Sequence, residues 1–270
     1  MVCRFIFSPA FAVFTFRAMI ELWQLPLLFA TGLVAGFVDS IAGGGGLIAL
    51  PVLLSCGLDP RHALGTSKLQ STFGSGSAAW HYARAGTVDP KDCTRGFMLS
   101  VLGAALGVLA VQQLDPFFLK RAIPILLIAV ALYSLLRPEL GAADLHPRMG
   151  RLVFDVTFVL GIALYDGFFG PGAGTFWTMA FVLVMGFNLT RATGYTKVMN
   201  FGSNLSALGL FLMAGQVVFP AGLAMGVGQL LGARLGSRMV VKRGTKFIRP
   251  VFITVVLALT GKLLYDAYVK

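Results

Sequence analysis

Two lysines, Lys68 and Lys197, stand at the start of apolar stretches, each inside a run of small polar residues. Thr66, Ser67, Ser71, Ser75 and His81 accompany the first; Thr196, Asn200, Ser203, Asn204 and Ser206 accompany the second. Positions 67, 68, 71 and 75 recur at helical spacing, as do 196, 197, 200 and 204, so each set shares one helix face. An ammonium group on such a face can hold an anion by charge, with hydroxyl and amide groups beside it to direct hydrogen bonds. The competing assignment is a lysine that lays its stem on apolar surface and carries its charge out to the headgroups from a helix end.

Gly43, Gly44, Gly45 and Gly46 form an unbroken run, and Gly170, Gly172 and Gly174 form a second cluster around Pro171. Glycine is a poor helix former, so a helix break is expected over 41–46 with a new helix from near Leu47. The first free amides of that helix, and the positive end of its dipole, would point into the break, which suits an anion. No Lys-Ser/Thr pair follows the glycines, so this is not a phosphate-binding P-loop. Small residues also let helices pack closely, and that use competes with anion binding. Asp39 and Asp166 each precede a glycine cluster. Three roles stay open for them: carrying a coupling proton, pairing with Lys68 and Lys197, or capping the helix beyond the break.

The chain that must position these groups is 57% hydrophobic and only 12% charged, with a mean hydropathy of +0.81. Soluble domains carry about 25% charged residues, so a soluble enzyme is excluded, as are a disordered chain and a coiled coil. Apolar stretches run over 22–40, 43–57, 63–83, 96–113, 118–136, 152–168, 173–187, 192–214, 219–236 and 248–268. The pattern predicts an all-α, polytopic membrane helix bundle of 8–10 hydrophobic segments. Crossing a hydrocarbon core of roughly 30 Å takes about 20 residues, so 43–57 and 173–187 are marginal, and both follow a glycine cluster.

An internal repeat organises these segments. At an offset of 129 residues, GLDPRHALGTSK (57–68) falls on GFNLTRATGYTK (186–197), and fourteen identities occur in the 51 positions 57–107. The register holds through Ala85-Gly86 on Ala214-Gly215 and Leu102-Gly103-Ala104 on Leu231-Gly232-Ala233. Ahead of it the offset is near 127, placing Asp39 on Asp166, Gly43 on Gly170 and Gly45 on Gly172. The expected division is an N-terminal extension over 1–21, a first transmembrane repeat over 22–138, a connecting loop over 139–151 and a second repeat over 152–270. Met19 is a natural start, which would put the first eighteen residues upstream of it; no compact cleavage site marks them as a signal peptide.

The formal charge of +11 is a topology signal in such a chain, because cytoplasmic loops are rich in Lys and Arg. Loop 84–95 carries Arg84, Lys91 and Arg95 while its counterpart 213–222 has no charge; Lys242, Arg243, Lys246 and Arg249 are answered in the first half only by Lys120 and Arg121. Inverted halves place the richer loop of each pair inside, with both termini outside. Re-entrant short segments would instead leave four crossings per half and parallel halves. A nucleic-acid partner is not expected, since the one dense basic run is Lys242 to Arg249. Cys3, Cys56 and Cys93 are odd in number and unevenly spaced, so neither a disulfide framework nor a zinc site is expected, and no other metal or cofactor. Asp155, Arg234 and Arg238 have no matched partner in the other half and are assigned to packing or the interface; His62, His81 and His146 are loop or interfacial residues.

The stretch GLVAGFVDSIAGGGGLIALPVLLSCGL, then ALGTSKLQ and later TGYTKVMNFGSN, resembles the TauE/SafE, or sulfite exporter, family from Leu22 to Asp266. The resemblance implies a multi-pass transporter of the bacterial inner membrane built by internal duplication, some members of which move sulfite, sulfonates or related organic anions. The family's glycine-rich breaks and its lysines carry over onto Gly43 to Gly46, Lys68, Gly170 to Gly174 and Lys197. Ser71 stands where the second copy has Asn200, so an amide contact is expected on one side only. The expected function is a secondary carrier for a small anion such as sulfite, a sulfonate or a carboxylate, lodged between two half-helix N-termini. Its partners are that anion and the lipid bilayer. The alternatives are a channel-like anion pore, a scaffold subunit that transports nothing, and an intramembrane enzyme, which lacks paired catalytic groups.

Overall fold

The structure, a computed structural model, describes residues 20–115, 118, 125 and 146–243. The first eighteen residues, the apolar stretch 248–268, and most of the stretch 118–136 and of the loop 139–151 lie outside the described residues. No strand occurs among the described residues. The first set of helices is α1 (Gln24–Ala42), α2 (Gly45–Ser55), α3 (Pro60–Arg84) and α4 (Pro90–Gln112). The second opens with α5, which runs from Arg151–Phe154 through a π-helical turn at Asp155–Val159 to Leu160–Phe168. It continues with α6 (Ala173–Leu183), α7 (Leu189–Met213) and α8 (Phe219–Arg243).

Local chemistry starts these helices where they start. Asp59 accepts from the amides of Arg61 and His62 ahead of Pro60, and Asp89 accepts from that of Lys91 ahead of Pro90. A side-chain cap followed by proline in the first turn is a strong helix start, since proline lacks the N–H that would go unpaired there. Asn188 caps α7 in the same way, accepting from Arg191. The eight positive-φ glycines among the described residues fall into four pairs that occupy matching places: Gly43 and Gly170, Gly44 and Gly172, Gly57 and Gly186, Gly86 and Gly215.

The breaks are shorter than the sequence suggests. α1 continues to Ala42 and α2 begins at Gly45, not near Leu47, leaving Gly43 and Gly44 as the break. The reason is Asp39, whose Oδ1 accepts the Gly45 amide at 3.1 Å and lets the helix begin early. Gly44 and Gly172 are the corresponding left-handed N-caps, so Gly172 answers Gly44 and not Gly45; the second break is longer because it includes Phe169 and Pro171.

Two apolar clusters mark two poles. One joins Leu28 of α1, Leu47, Leu50 and Leu53 of α2, Leu64 of α3, Val111 of α4, Phe211 of α7 and Ala221 of α8. The other joins Ile41 of α1, Tyr82 of α3, Cys93 of α4, Phe154 of α5, Phe181 of α6, Ala192 of α7 and Val240 of α8. So α1, α3 and α8 run from the first pole to the second, and α4, α5 and α7 run back. Each of α1, α3 and α4 thus points opposite to its counterpart α5, α7 and α8. α2 and α6 have 11 residues each, roughly 16 Å of helix at 1.5 Å per residue, too short to cross. α2 folds back along α1, the Cβ position of Gly45 lying 2.8 Å from the Ala35 carbonyl oxygen. α1–α2 and α5–α6 are therefore hairpins whose tips turn inside the protein, so re-entrant short helices coexist here with opposed directions.

Close helix contacts hold the hairpins in place. Cβ atoms at Gly32 and Gly36 of α1 would come within 2.1 Å of Met225 O and 2.3 Å of Gln229 O in α8, and one at Gly232 within 2.0 Å of Leu33 O. The same packing joins α5 to α4, where a Cβ at Gly107 would meet Leu164 O at 2.1 Å. Backbones this close gain dispersion contacts that larger residues would forbid. Leu102, Leu106 and Leu109 of α4 and Leu223, Val227 and Leu231 of α8 are exposed on the outer surface, an apolar belt of the kind lipid covers. α1 and α4 are long and apolar enough to cross a membrane by length and composition, whereas α3 is not, because Ser67, Lys68, Gln70 and Ser75 are polar and buried within it.

Candidate functional site

The two hairpin tips meet. A Cβ on Gly43 would lie 2.6 Å from the Gly174 carbonyl carbon and the Thr175 amide nitrogen, and one on Gly46 would lie 3.2 Å from the Pro171 Cα. The N-termini of α2 and α6, which start their runs to opposite poles, are thus in contact. Thr175 Oγ1 donates to the Ala42 carbonyl at 3.4 Å across this junction, and Tyr165 donates to Pro171 O at 2.7 Å within the second tip. At the junction is a small cavity of about 30 Å³ lined by Asp39, Gly44, Gly46, Leu64, Ser67, Lys68, Ser71, Asp166, Phe169, Gly170, Pro171, Gly172, Gly174, Asn200 and Asn204. It has room for a water or two.

The lysines are buried and paired, each with the aspartate of the other set of helices. Lys68 Nζ lies 2.7 Å from Asp166 Oδ1, also donates to the Asp166 carbonyl oxygen, and reaches Asn204 Oδ1 at 3.3 Å. Ser203 donates to the other carboxylate oxygen of Asp166. Lys197 Nζ lies 2.9 Å from Asp39 Oδ2 and is 0% exposed. Snorkelling is therefore ruled out for both: the ammonium groups point into the bundle. Asp39 combines two of its three candidate roles, pairing with Lys197 and capping Gly45. Asp166 pairs with Lys68 and caps nothing, since the Ala173 amide goes to Gly170 O. The four charges cancel, so the lysines do not present bare positive charge.

What remains for a ligand is a set of backbone donors. Gly44, Gly172 and Gly174 line the cavity, and their amides have no hydrogen-bond acceptor among the described residues. Gly170 must be glycine: its φ is +95°, and a Cβ there would lie 2.9 Å from Lys68 Nζ.

A comparison with known proteins now fixes the family. The profile described as Sulfite exporter TauE/SafE matches residues 28–263. The chain belongs to the TauE/SafE family. A probable membrane transporter protein, ORF9, of Sinorhizobium sp is 47% identical over 242 residues, 90% of this chain and 93% of its own. The probable membrane transporter protein YfcA of Escherichia coli K12 is 43% identical over 250 residues, 93% of each chain, and YunE of Bacillus subtilis, similarly named, is 25% identical over 267 residues, 89% and 97%. No solved structure matches at a significant level. The protein is a membrane protein of a transporter family, consistent with its apolar belt.

Most of the residues singled out in the TauE/SafE sequence converge, with exceptions. Gly43 and Gly45 form the tip and the cap without lining the cavity. Lys197 sits behind it on Asp39. Thr196 is buried against Thr178, 3.1 Å away between hydroxyl oxygens, because it lies a turn along α7 from Asn200, level with α6 and not with the break. His81 leaves the polar stripe for the outer surface of α3. Asp155, expected to serve packing, is 1% exposed and clamped by Arg95 at 2.9 Å and Arg151 at 3.1 Å. Sequence reading missed Leu64, Phe169 and Pro171 as lining residues and Ser203 as the Asp166 donor. Phe169 and Pro171 could have been found from their place inside the second break, and Leu64 from its position one turn before Lys68.

Proposed function

We propose that this protein is a secondary carrier for a small anion, a sulfur oxyanion such as sulfite or an organic sulfonate or carboxylate, built as an inverted duplication that rocks about the junction of the hairpin tips. The observation that carries the reading is the pair of abutting half-helix N-termini with unpaired amides beside Lys68. Helix N-termini favour anions through free N–H groups and dipole alike, and buried charge within a membrane bundle is a default pointer to a solute path. The name of the family supports the substrate class.

The two hairpin tips abut and the cavity between them is small, so passage of a solute from one pole to the other requires the two sets of helices to move apart. That favours a carrier over an open pore. Because Lys68, Lys197, Asp39 and Asp166 sum to zero charge, an anion entering alone would leave net negative charge in a low dielectric. Protonation of Asp166 or Asp39 offsets it, freeing an ammonium group for the anion and coupling its transport to protons. The richly basic second pole, with Arg84, Lys91, Arg95 and Arg191, is the cytoplasmic one under the positive-inside rule.

The test is uptake of radiolabelled sulfite, a sulfonate and a carboxylate into proteoliposomes. Saturable uptake of one of them by the wild type, lost in Lys68→Ala and Lys197→Ala proteins that remain folded, is the expected result; wild-type rates in both variants would overturn the reading.

A further inference from the structure

The outer face of α8 changes character along its length. Val227 and Leu231 are exposed apolar residues, and the same face continues with Arg234, Arg238 and Lys242, each at helical spacing from the last. Beside these cations, α3 contributes Trp80, His81 and Arg84, and together they line a groove of about 510 Å³ that contains no acidic side chain. Arg84 lies over the Trp80 ring at 5.7 Å, and Trp80 itself is 67% exposed. None of Arg84, Arg234, Arg238 and Lys242 has an ion-pair partner among the described residues. The groove opens outward, away from the hairpin junction, which Ser67, Lys68 and Ser71 line from another face of α3.

We propose that this groove binds the phosphate of an anionic phospholipid. Apolar residues toward the middle of the helix match acyl chains, the cations toward its end match a phosphodiester, and an exposed tryptophan beside them sits where such rings mark the membrane interface. Basic pockets between transmembrane helices are suited to acidic headgroups. A soluble phosphate would use the same guanidinium groups but gain nothing from Val227, Leu231 and Trp80.

The experiment titrates phosphatidylglycerol into the full chain held in neutral detergent, with bound lipid counted by native mass spectrometry and thermal stability followed in parallel. Phosphatidylcholine and inorganic phosphate form the comparison arms. Phosphatidylglycerol is expected to bind and raise the melting temperature by mass action, and Arg234→Gln/Arg238→Gln to weaken it about thirtyfold while melting as wild type in phosphatidylcholine. Should that variant fail to fold, Lys242→Gln at the exposed helix end serves, with about fivefold weakening expected. Equal binding by wild type and variant, equal stabilisation by inorganic phosphate, or a dimer that the variant dissociates would each overturn the proposal.

Discussion

Lys68 Nζ of α3 and Asp166 Oδ1 of α5 are 2.7 Å apart and 98 residues apart in the chain. Both side chains are about 95% buried, so neither charge is solvated by bulk water. Removing one member of a buried pair costs about 3–5 kcal/mol, whereas removing both is often neutral. Lys68→Met is therefore expected to lower the melting temperature sharply and Lys68→Met/Asp166→Asn to recover most of it, with transport lost in both. Thermal melts and uptake on the same preparations check this; equal stability of the single and double variants would show that the pair is not a unit.

Asp39 and Asp166 should differ from other carboxylates in what they do to proton flux. In liposomes loaded with a pH-sensitive dye, anion entry is expected to acidify the lumen of wild-type vesicles, and an Asp166→Asn protein to move anion, if at all, with no dye response. A dye response unchanged in both Asp39→Asn and Asp166→Asn would remove these residues from coupling.

Gly170→Ala places a methyl group 2.9 Å from Lys68 Nζ at a φ of +95°. Strain of this kind costs about 1–3 kcal/mol, and the displaced ammonium group should reduce uptake beyond what the stability loss explains. Gly161 in α5 has nothing within 4 Å of a new Cβ, so Gly161→Ala is expected to be neutral or to stabilise by up to about 1 kcal/mol through helix propensity. Denaturation of the two variants side by side measures the contrast.

The α1–α8 contact makes a sharper size prediction. Gly232→Leu is expected to abolish the folded protein, since a first carbon alone would sit 2.0 Å from Leu33 O, while Leu235→Ala on the exposed outer face should change stability little. Yield of monodisperse protein in size-exclusion chromatography reads both.

Orientation is open to cysteine labelling. With Cys3, Cys56 and Cys93 replaced by serine, a cysteine at Met213, which is 83% exposed at the first pole, should react with an impermeant maleimide added to intact cells. A cysteine at Lys91, near the second pole, should react only after lysis. The reverse pattern would place the basic pole outside.

The amino-acid order by itself settled the class of protein, its two glycine clusters and the residues of greatest interest, because each of these is written in local composition. Low charge density demands lipid, glycine runs interrupt helices, and a lysine embedded among apolar residues announces an unusual environment. Asp59 and Asp89, which cap α3 and α4 ahead of proline, are local signals too, although the apolar stretches alone put those starts at 63 and 96. What local composition does not encode is which distant group a side chain meets. That Lys68 takes Asp166 and Lys197 takes Asp39, cancelling the positive charge a sequence reader assigns to the site, depends on two hairpins entering from opposite poles and crossing. Only the packing of α1 on α8 and of α5 on α4, through glycines whose backbones touch, brings those tips to one place, and the same geometry turns Thr196 and Lys197 away from the cavity that their neighbours line.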